Sequence, residues 1–177
     1  MKYILFIICI LFQILSYSQL QSTKLKTYKN TQIGIEFNYP DSWELGTPSI
    51  SNIYWVCVPN FQSGGNIVLK VVPWKYNVDI RSTSKEKYKK DILSTSVYYK
   101  DLEFIEYNNN IKISDVDGVF SYYKGYGRYV EKVYYEILVQ WWSKNILYTL
   151  QGQFEEPELK SNQIVEIKNL IKSIRLN

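Results

Sequence analysis

The pattern of apolar and polar residues is clearest where the folded part of the chain begins, at residues 33–38. Apolar side chains alternate there with polar or small ones, and the apolar positions are Ile33, Ile35 and Phe37. A period of two residues is typical of a strand with one buried face. Pro40 has no N–H to donate to a neighbouring strand, so it ends the predicted strand. We expect a tight turn to follow, with Trp43 as a buried anchor.

The same alternation predicts a mostly antiparallel sheet in the rest of the chain. The further predicted strands are residues 50–58, 67–74, 102–107, 111–113, 119–124, 130–142 and 146–154. Turns are predicted between them at residues 108–110, 115–118, 125–128 and 143–145. In the strand 130–142, one face carries Tyr135, Ile137, Val139 and Trp141, and the other carries Glu136, Gln140 and Trp142. This separation indicates a sheet that is fully covered on one side.

Two segments have helical spacing instead. A helix near residues 84–99 is predicted because Thr83 and Glu86 fit a capping box and apolar residues then return at helical intervals. A second helix is predicted near residues 158–174. It follows acidic residues beside Pro157, which suit the positive end of a helix dipole.

The first residues of the chain predict export. Lys2 precedes an apolar run to Leu15, and small residues at 16 and 18 place a cleavage site before Gln19. A permanent membrane anchor is the alternative, but the run is shorter than the roughly 20 residues that span a bilayer. We therefore predict a signal peptide at 1–18, a leader at 19–30 and a single domain at 31–177. The mature protein is expected in the periplasm or outside the cell, with no transmembrane segment.

The opening strand and its corner resemble those of the PsbP-like family. The matching residues are Phe37, Tyr39, Pro40 and Trp43, and residues 171–174 resemble the end of the family's last helix. The family includes an extrinsic photosystem II subunit and many bacterial envelope proteins. The resemblance implies an α+β fold, a PsbP-like α/β/α sandwich of a mostly antiparallel sheet flanked by the helices near 84–99 and 158–174. It brings no catalytic residues, since the family is largely non-enzymatic.

The amino-acid composition limits the partners and the catalytic chemistry that we expect for this chain. The chain has a net charge of only +4, which makes no case for nucleic acid as a partner. It has no histidine, the commonest general base and a common metal ligand. Cys57 is the single cysteine expected after processing, and it lies in an apolar run that favours a buried thiol. We predict no catalytic residues, no metal site and no cofactor.

Binding remains as the expected function. The candidate binding residues are Trp74, Tyr126, Arg128 and Trp142. Aromatic rings beside a guanidinium can stack on ligands or anchor a protein interface, although each of these side chains can also be ordinary surface or core. The leading hypothesis is a non-catalytic envelope protein that binds a protein partner. The alternatives are a glycan or lipid binder that uses aromatic residues of a sheet face, and a hydrolase whose carboxylate site forms only on folding.

Overall fold

Two antiparallel sheets and two helices make up the part of the chain that the computed structural model describes, residues 24–48, 50–74, 82–129 and 131–177. The strands are β1 (Leu25–Asn30), β2 (Ile35–Pro40), β3 (Glu44–Leu45), β4 (Ile53–Val58), β5 (Asn66–Pro73), β6 (Tyr99–Ile113), β7 (Val116–Gly127), β8 (Val133–Ser143), β9 (Ile146–Glu155) and β10 (Arg175–Leu176). The helices are α1 (Lys85–Thr95) and α2 (Ser161–Ser173). The predicted signal peptide lies outside the described residues.

The large sheet has seven strands in the order β3-β4-β5-β9-β8-β7-β6, and the small sheet has the order β1-β2-β10. Strands β6 to β9 form a meander, and β5 joins it by pairing with β9. The predicted turn after β8 is confirmed. Lys144 and Asn145 both have positive φ, as the two-residue turn that suits a twisted hairpin requires.

The two faces of the large sheet pack against different layers. The predicted apolar face of β8 is buried, and its four residues join one core cluster with the small sheet and α2. The opposite face packs against α1 through a second cluster that includes Tyr88, Tyr99 and Leu138. The predicted α/β/α sandwich with a mostly antiparallel sheet is therefore confirmed.

The opening corner is a core anchor, as predicted. The Trp43 N–H donates to the carbonyl of Pro40 at 3.2 Å, which closes the turn. The indole is only 2% exposed and meets the Phe61 ring edge-on, with centroids 5.8 Å apart. Phe37 and Tyr39 are buried beside it in the same cluster.

Three local predictions were wrong. Residues 25–30 of the expected leader form β1, an edge strand whose largely exposed side chains give no alternation to detect. Residues 108–110 are a bulged stretch within the continuous strand β6, not a turn. The hairpin after β6 turns at Ser114 and Asp115, since Ile113 pairs with Val116 and the following Asp-Gly lies inside β7.

The helices are shorter than expected. Ser84, not Thr83, is the N-cap of α1, and its hydroxyl accepts from the N–H of Lys87 at 3.2 Å. The helix ends before the predicted residue 99 because the Ser96 hydroxyl accepts from the N–H groups of Tyr98 and Tyr99, where β6 begins. The start of α2 lies three residues after the predicted residue 158.

Candidate functional site: a cavity on the α1 side of the large sheet

A cavity of about 1090 Å³ lies between α1 and the large sheet. Its floor is one face of β5, β9, β8 and β7, and its rim includes the C-terminal end of α1 and the residues that follow it. Within the described part of the chain, α1 packs against the β6 side of the sheet and does not cover the face of β5 and β9, which leaves the cavity beside it. Small-molecule sites are typically clefts of about 300–1,000 Å³, so this cavity is slightly larger than most of them.

The strand register brings polar side chains together on the floor. Glu136 of β8 pairs with Gln153 of β9 on one side and with Tyr123 of β7 on the other. Two residues along the same face, Leu138 pairs with Gln151. Because alternate residues of a strand share a face, these side chains point to the same side of the sheet.

Glu136 is the centre of this arrangement. The residue is 3% exposed, and its carboxylate accepts from the Tyr99 hydroxyl at 2.7 Å and from Gln151 Nε2 at 2.8 Å. The Tyr123 hydroxyl also hydrogen-bonds to it. Burial raises the pKa of Glu136 and outweighs the opposing effect of these donors.

The hydrogen bonds continue across the sheet. Gln153 Nε2 donates to the Tyr99 hydroxyl at 2.8 Å, and Lys70 Nζ donates to Gln151 Oε1 at 2.6 Å. A separate pair connects the sheet to α1, where the Tyr88 hydroxyl donates to Gln140 Oε1 at 2.9 Å. The side-chain amides of the floor are therefore largely engaged with other protein groups.

Apolar side chains surround this polar floor. Val68, Leu147 and Trp142 line the cavity and are half-buried. At the rim, Val97 is 63% exposed and Tyr98 is 68% exposed. Large apolar side chains that remain in water beside a cavity are typical of a binding surface.

The four candidate binding residues do not form one site. Trp74 and Trp142 both line the cavity. Tyr126 lies in a separate shallow groove, where its hydroxyl donates to Glu103 at 3.5 Å. The Arg128 guanidinium donates to the carbonyl of Tyr99 at 3.0 Å, so it holds the start of β6.

The predicted turn at residues 125–128 is mostly strand, since β7 continues to Gly127.

The binding residues predicted from the sequence did not include Glu136, Gln151 and Lys70, which form the hydrogen-bond network on the cavity floor. A signal for them was present, because β8 and β9 both place polar residues at alternate positions opposite a fully apolar face. The signal becomes a site only when the register between β8, β9 and β5 is known.

The lining groups show little sign of catalytic chemistry. Two described acids line the cavity. The carboxylate of Glu136 is occupied by its hydrogen-bond donors, and Asp91 forms an ion pair with Lys87 at 2.9 Å. This arrangement does not provide the free carboxylate pair of the hydrolase hypothesis.

Burial raises the pKa of Cys57 to about 12, so its thiol is protonated at neutral pH. Within the described ranges, no cluster of three or more acidic or cysteine side chains could hold a metal ion.

Comparison with known proteins gives a clear result for the fold. No protein-family model matches the sequence, and no curated protein matches it. Among solved structures, cyanobacterial PsbP (CyanoP) from Synechocystis sp. PCC 6803 is similar, with a TM-score of 0.64 and 14% identity over 90% of this chain and 96% of that one.

Two further structures have the same architecture. The Ran-binding protein Mog1p of Saccharomyces cerevisiae has a TM-score of 0.60 at 7% identity, over 88% of this chain and 96% of its own. The protein PA94 of Pseudomonas aeruginosa has a TM-score of 0.50 at 9% identity, over 84% and 94%. At these identities the likenesses show the fold alone, and the PsbP-like fold is confirmed. No helix in the described part of the chain has the length and apolar character to cross a bilayer.

Proposed function

We propose that this protein is a non-catalytic binding module that takes a small ligand in the cavity above the large sheet. The observation that carries the proposal is the cavity itself, a concave volume of about 1090 Å³ with a hydrogen-bonded polar floor and exposed apolar residues at its rim. A rigid sheet with a few fixed polar groups among apolar side chains is the usual construction of such sites. This favours the small-ligand hypothesis over the protein partner that was the leading expectation from sequence.

A protein partner is the second candidate, and a different observation favours it. Tyr98 and Tyr129 are 68% and 81% exposed, and the Arg128 N–H donates to the Tyr98 carbonyl at 2.7 Å, which brings the two exposed segments together. Tyrosine and arginine are enriched among the residues that dominate protein interfaces. The structurally similar Mog1p is a Ran-binding protein, which supports protein binding by this fold.

Export completes the proposal. The charged start, apolar run and small residues of segment 1–18 support a cleaved signal peptide, with residues 31–177 as the bulk of the domain. The site of action is then the periplasm or the cell exterior. Mass spectrometry of the N-terminal peptide of the secreted protein tests this, with Gln19, free or cyclised to pyroglutamate, expected as the first residue; a peptide that begins within residues 1–18 would contradict it.

A cavity-filling variant tests ligand binding. Val68 is half-buried on the cavity floor, so Val68→Trp places a large ring inside the cavity. Val58→Trp is the matched control, because Val58 is exposed and does not line the cavity. Calorimetric titration with a panel of amphiphiles, sugars and amino acids should find a ligand that binds the wild type and the control but not Val68→Trp. If every binding signal survives in Val68→Trp, the cavity is not the site.

The second candidate requires a separate variant. Tyr98→Ser with Tyr129→Ser removes the exposed rings without filling the cavity. A protein retained from an envelope extract by the wild type and by Val68→Trp, but lost with this double variant, would support the protein-partner hypothesis. Loss with Val68→Trp alone would oppose it.

A further inference from the structure

We propose that the ligand of the cavity is an amphiphilic organic anion, with its acidic head on Lys70 and its apolar body across the surrounding aliphatic and indole side chains. This inference rests on the proposed small-ligand function and narrows it to one chemical class. Three observations carry it: the state of Lys70, the lack of a competing accessible charge, and the engagement of the floor amides.

Lys70 forms no ion pair with a carboxylate among the residues that the structure describes. Its ammonium donates to Gln151 Oε1 at 2.6 Å, which uses one of its three hydrogens. The residue is half-buried on the floor of the cavity, so an acidic head that reached it would form a charge-assisted hydrogen bond away from bulk water.

The charges of Lys70 and Glu136 interact, but among the described residues neither Glu136 nor the charges at the rim bond to the Lys70 ammonium. Glu136 is 3% exposed and covered by its three donors, so a ligand cannot reach its carboxylate. Lys87 and Asp91 at the rim neutralise each other in an ion pair of 2.9 Å. Among the described lining residues, Lys70 is therefore the accessible charge of the floor.

Beside its polar neighbours Gln151 and Thr149, Lys70 is flanked by apolar side chains. Ile53 of β4 lies opposite it in the ladder, and Val68 is two residues away on the same face of β5. On the far side, Leu147 pairs with Trp142 across β9 and β8. All four line the cavity and are half-buried, so contact with an apolar ligand body would remove them from water.

Two of the floor amides, those of Gln151 and Gln140, favour an amphiphile over a sugar because they already bond to protein groups at both oxygen and nitrogen. A polyhydroxyl ligand needs several unengaged donors and acceptors. In Gln151, Oε1 accepts from Lys70 and Nε2 donates to Glu136. In Gln140, Oε1 accepts from Tyr88 and Nε2 donates to Thr149 at 3.4 Å. A ligand with one charged head and an apolar body needs fewer polar partners than a sugar does.

Two fluorescent probes that differ by one anionic group test the proposal. Anilinonaphthalene sulfonate is the anion, and phenylnaphthylamine is its neutral analogue. We expect the anion to bind the folded protein at one site, and roughly tenfold more tightly than the neutral probe. A tenfold difference corresponds to about 1.4 kcal/mol, near the low end of what a hydrogen bond to a charged group contributes. Added salt should weaken the binding of the anion more than that of the neutral probe.

Variants assign the preference to Lys70. Lys70→Gln should lower the affinity for the anionic probe roughly tenfold and leave the affinity for the neutral probe unchanged. Lys90→Gln is the matched control, because Lys90 is exposed on α1 and does not line the cavity. Lys70→Arg should restore much of the anion's affinity. Val68→Trp should abolish the binding of both probes, and circular dichroism confirms that each variant is folded.

The outcomes separate the two proposals. If both probes bind in the cavity with similar affinity, and Lys70→Gln changes neither, the anion proposal is wrong while the small-ligand function stands. If neither probe nor any member of the ligand panel depends on Val68, both proposals are wrong. If Lys70→Gln and Lys90→Gln lower the affinity for the anionic probe equally, the effect is one of net charge. That result would also overturn the assignment of the anion site to Lys70.

Discussion

Replacing Glu136 with glutamine should change how the stability of the protein depends on pH. Glu136→Gln keeps the size of the side chain and removes the negative charge from a site that is 3% exposed. Burial raises the pKa of Glu136 above its ordinary value of 4.5, whereas its hydrogen-bond donors and the charge of Lys70 act in the opposite direction. Burial prevails, so the pKa of Glu136 is higher in the folded state than in the unfolded chain.

The sign follows from proton linkage. Since the pKa is higher in the folded state, the folded protein holds a proton that the unfolded chain releases above pH 4.5. The stability due to this group is therefore present at low pH and is lost as the pH rises through the folded-state pKa. The largest slope is about 1.4 kcal/mol per pH unit, and it applies between the unfolded and folded pKa values.

Urea unfolding monitored by circular dichroism, from pH 4.5 to pH 8, gives the free energy of unfolding of each protein. We expect the stability of the wild type relative to Glu136→Gln to fall as the pH rises. Glu131→Gln is the control for a general change in charge, because Glu131 is exposed in the loop after β7. A relative stability that rises with pH would refute the reasoning, since it would mean that the donors and Lys70 outweigh burial.

Three further predictions concern the fold. Trp43→Ala should lower the free energy of unfolding by about 3–5 kcal/mol, and Trp43→Phe by less, because the indole is buried against Phe61; urea titrations measure both, and near-neutral values would contradict the anchor role. Gly125→Ala should cost about 1–3 kcal/mol, since a Cβ there would lie 2.7 Å from Cε1 of Tyr99; an unchanged melting temperature would oppose this. Cys57 should react with a thiol reagent only after unfolding, because burial raises its pKa to about 12; rapid labelling of the native protein would be the contrary result.

Much of the fold could be predicted because its main signals are local. The alternation in β8 identified the buried face of the sheet, and the proline after Tyr39 identified the end of β2. The prediction of secondary structure failed where the local preference of the side chains differed from the structure that pairing with a neighbouring strand imposes. Residues 108–110 have turn-forming side chains, yet β7 pairs on both sides of them and keeps β6 continuous through a bulge.

The candidate site was predictable only in part, since it depends on register. Trp74 and Trp142 were candidates from sequence, and both line the cavity. The hydrogen bonds of Glu136 join residues 15 and 37 positions apart in the chain, to Gln151 and Tyr99. A shift of one residue between β8 and β9 would send the polar side chains to the opposite face. No local pattern determines that register, so the network could not be identified before the fold.

The size of α1 explains why a site forms on this face. The helix has 11 residues, and a helix with its side chains is about 10–12 Å wide, while strands are spaced about 4.8 Å apart. From β6 the helix therefore reaches β7 and, through Tyr88, β8. Because α1 packs on β6, strand β5 lies about 19 Å away, beyond the reach of this helix. The exposed part of the floor must then be wettable, and the amides and Lys70 satisfy that requirement. Their bonds to one another leave the Lys70 ammonium as the accessible charge of the floor among the described lining residues. The incomplete cover of the sheet therefore produces both the cavity and its proposed preference for an anion.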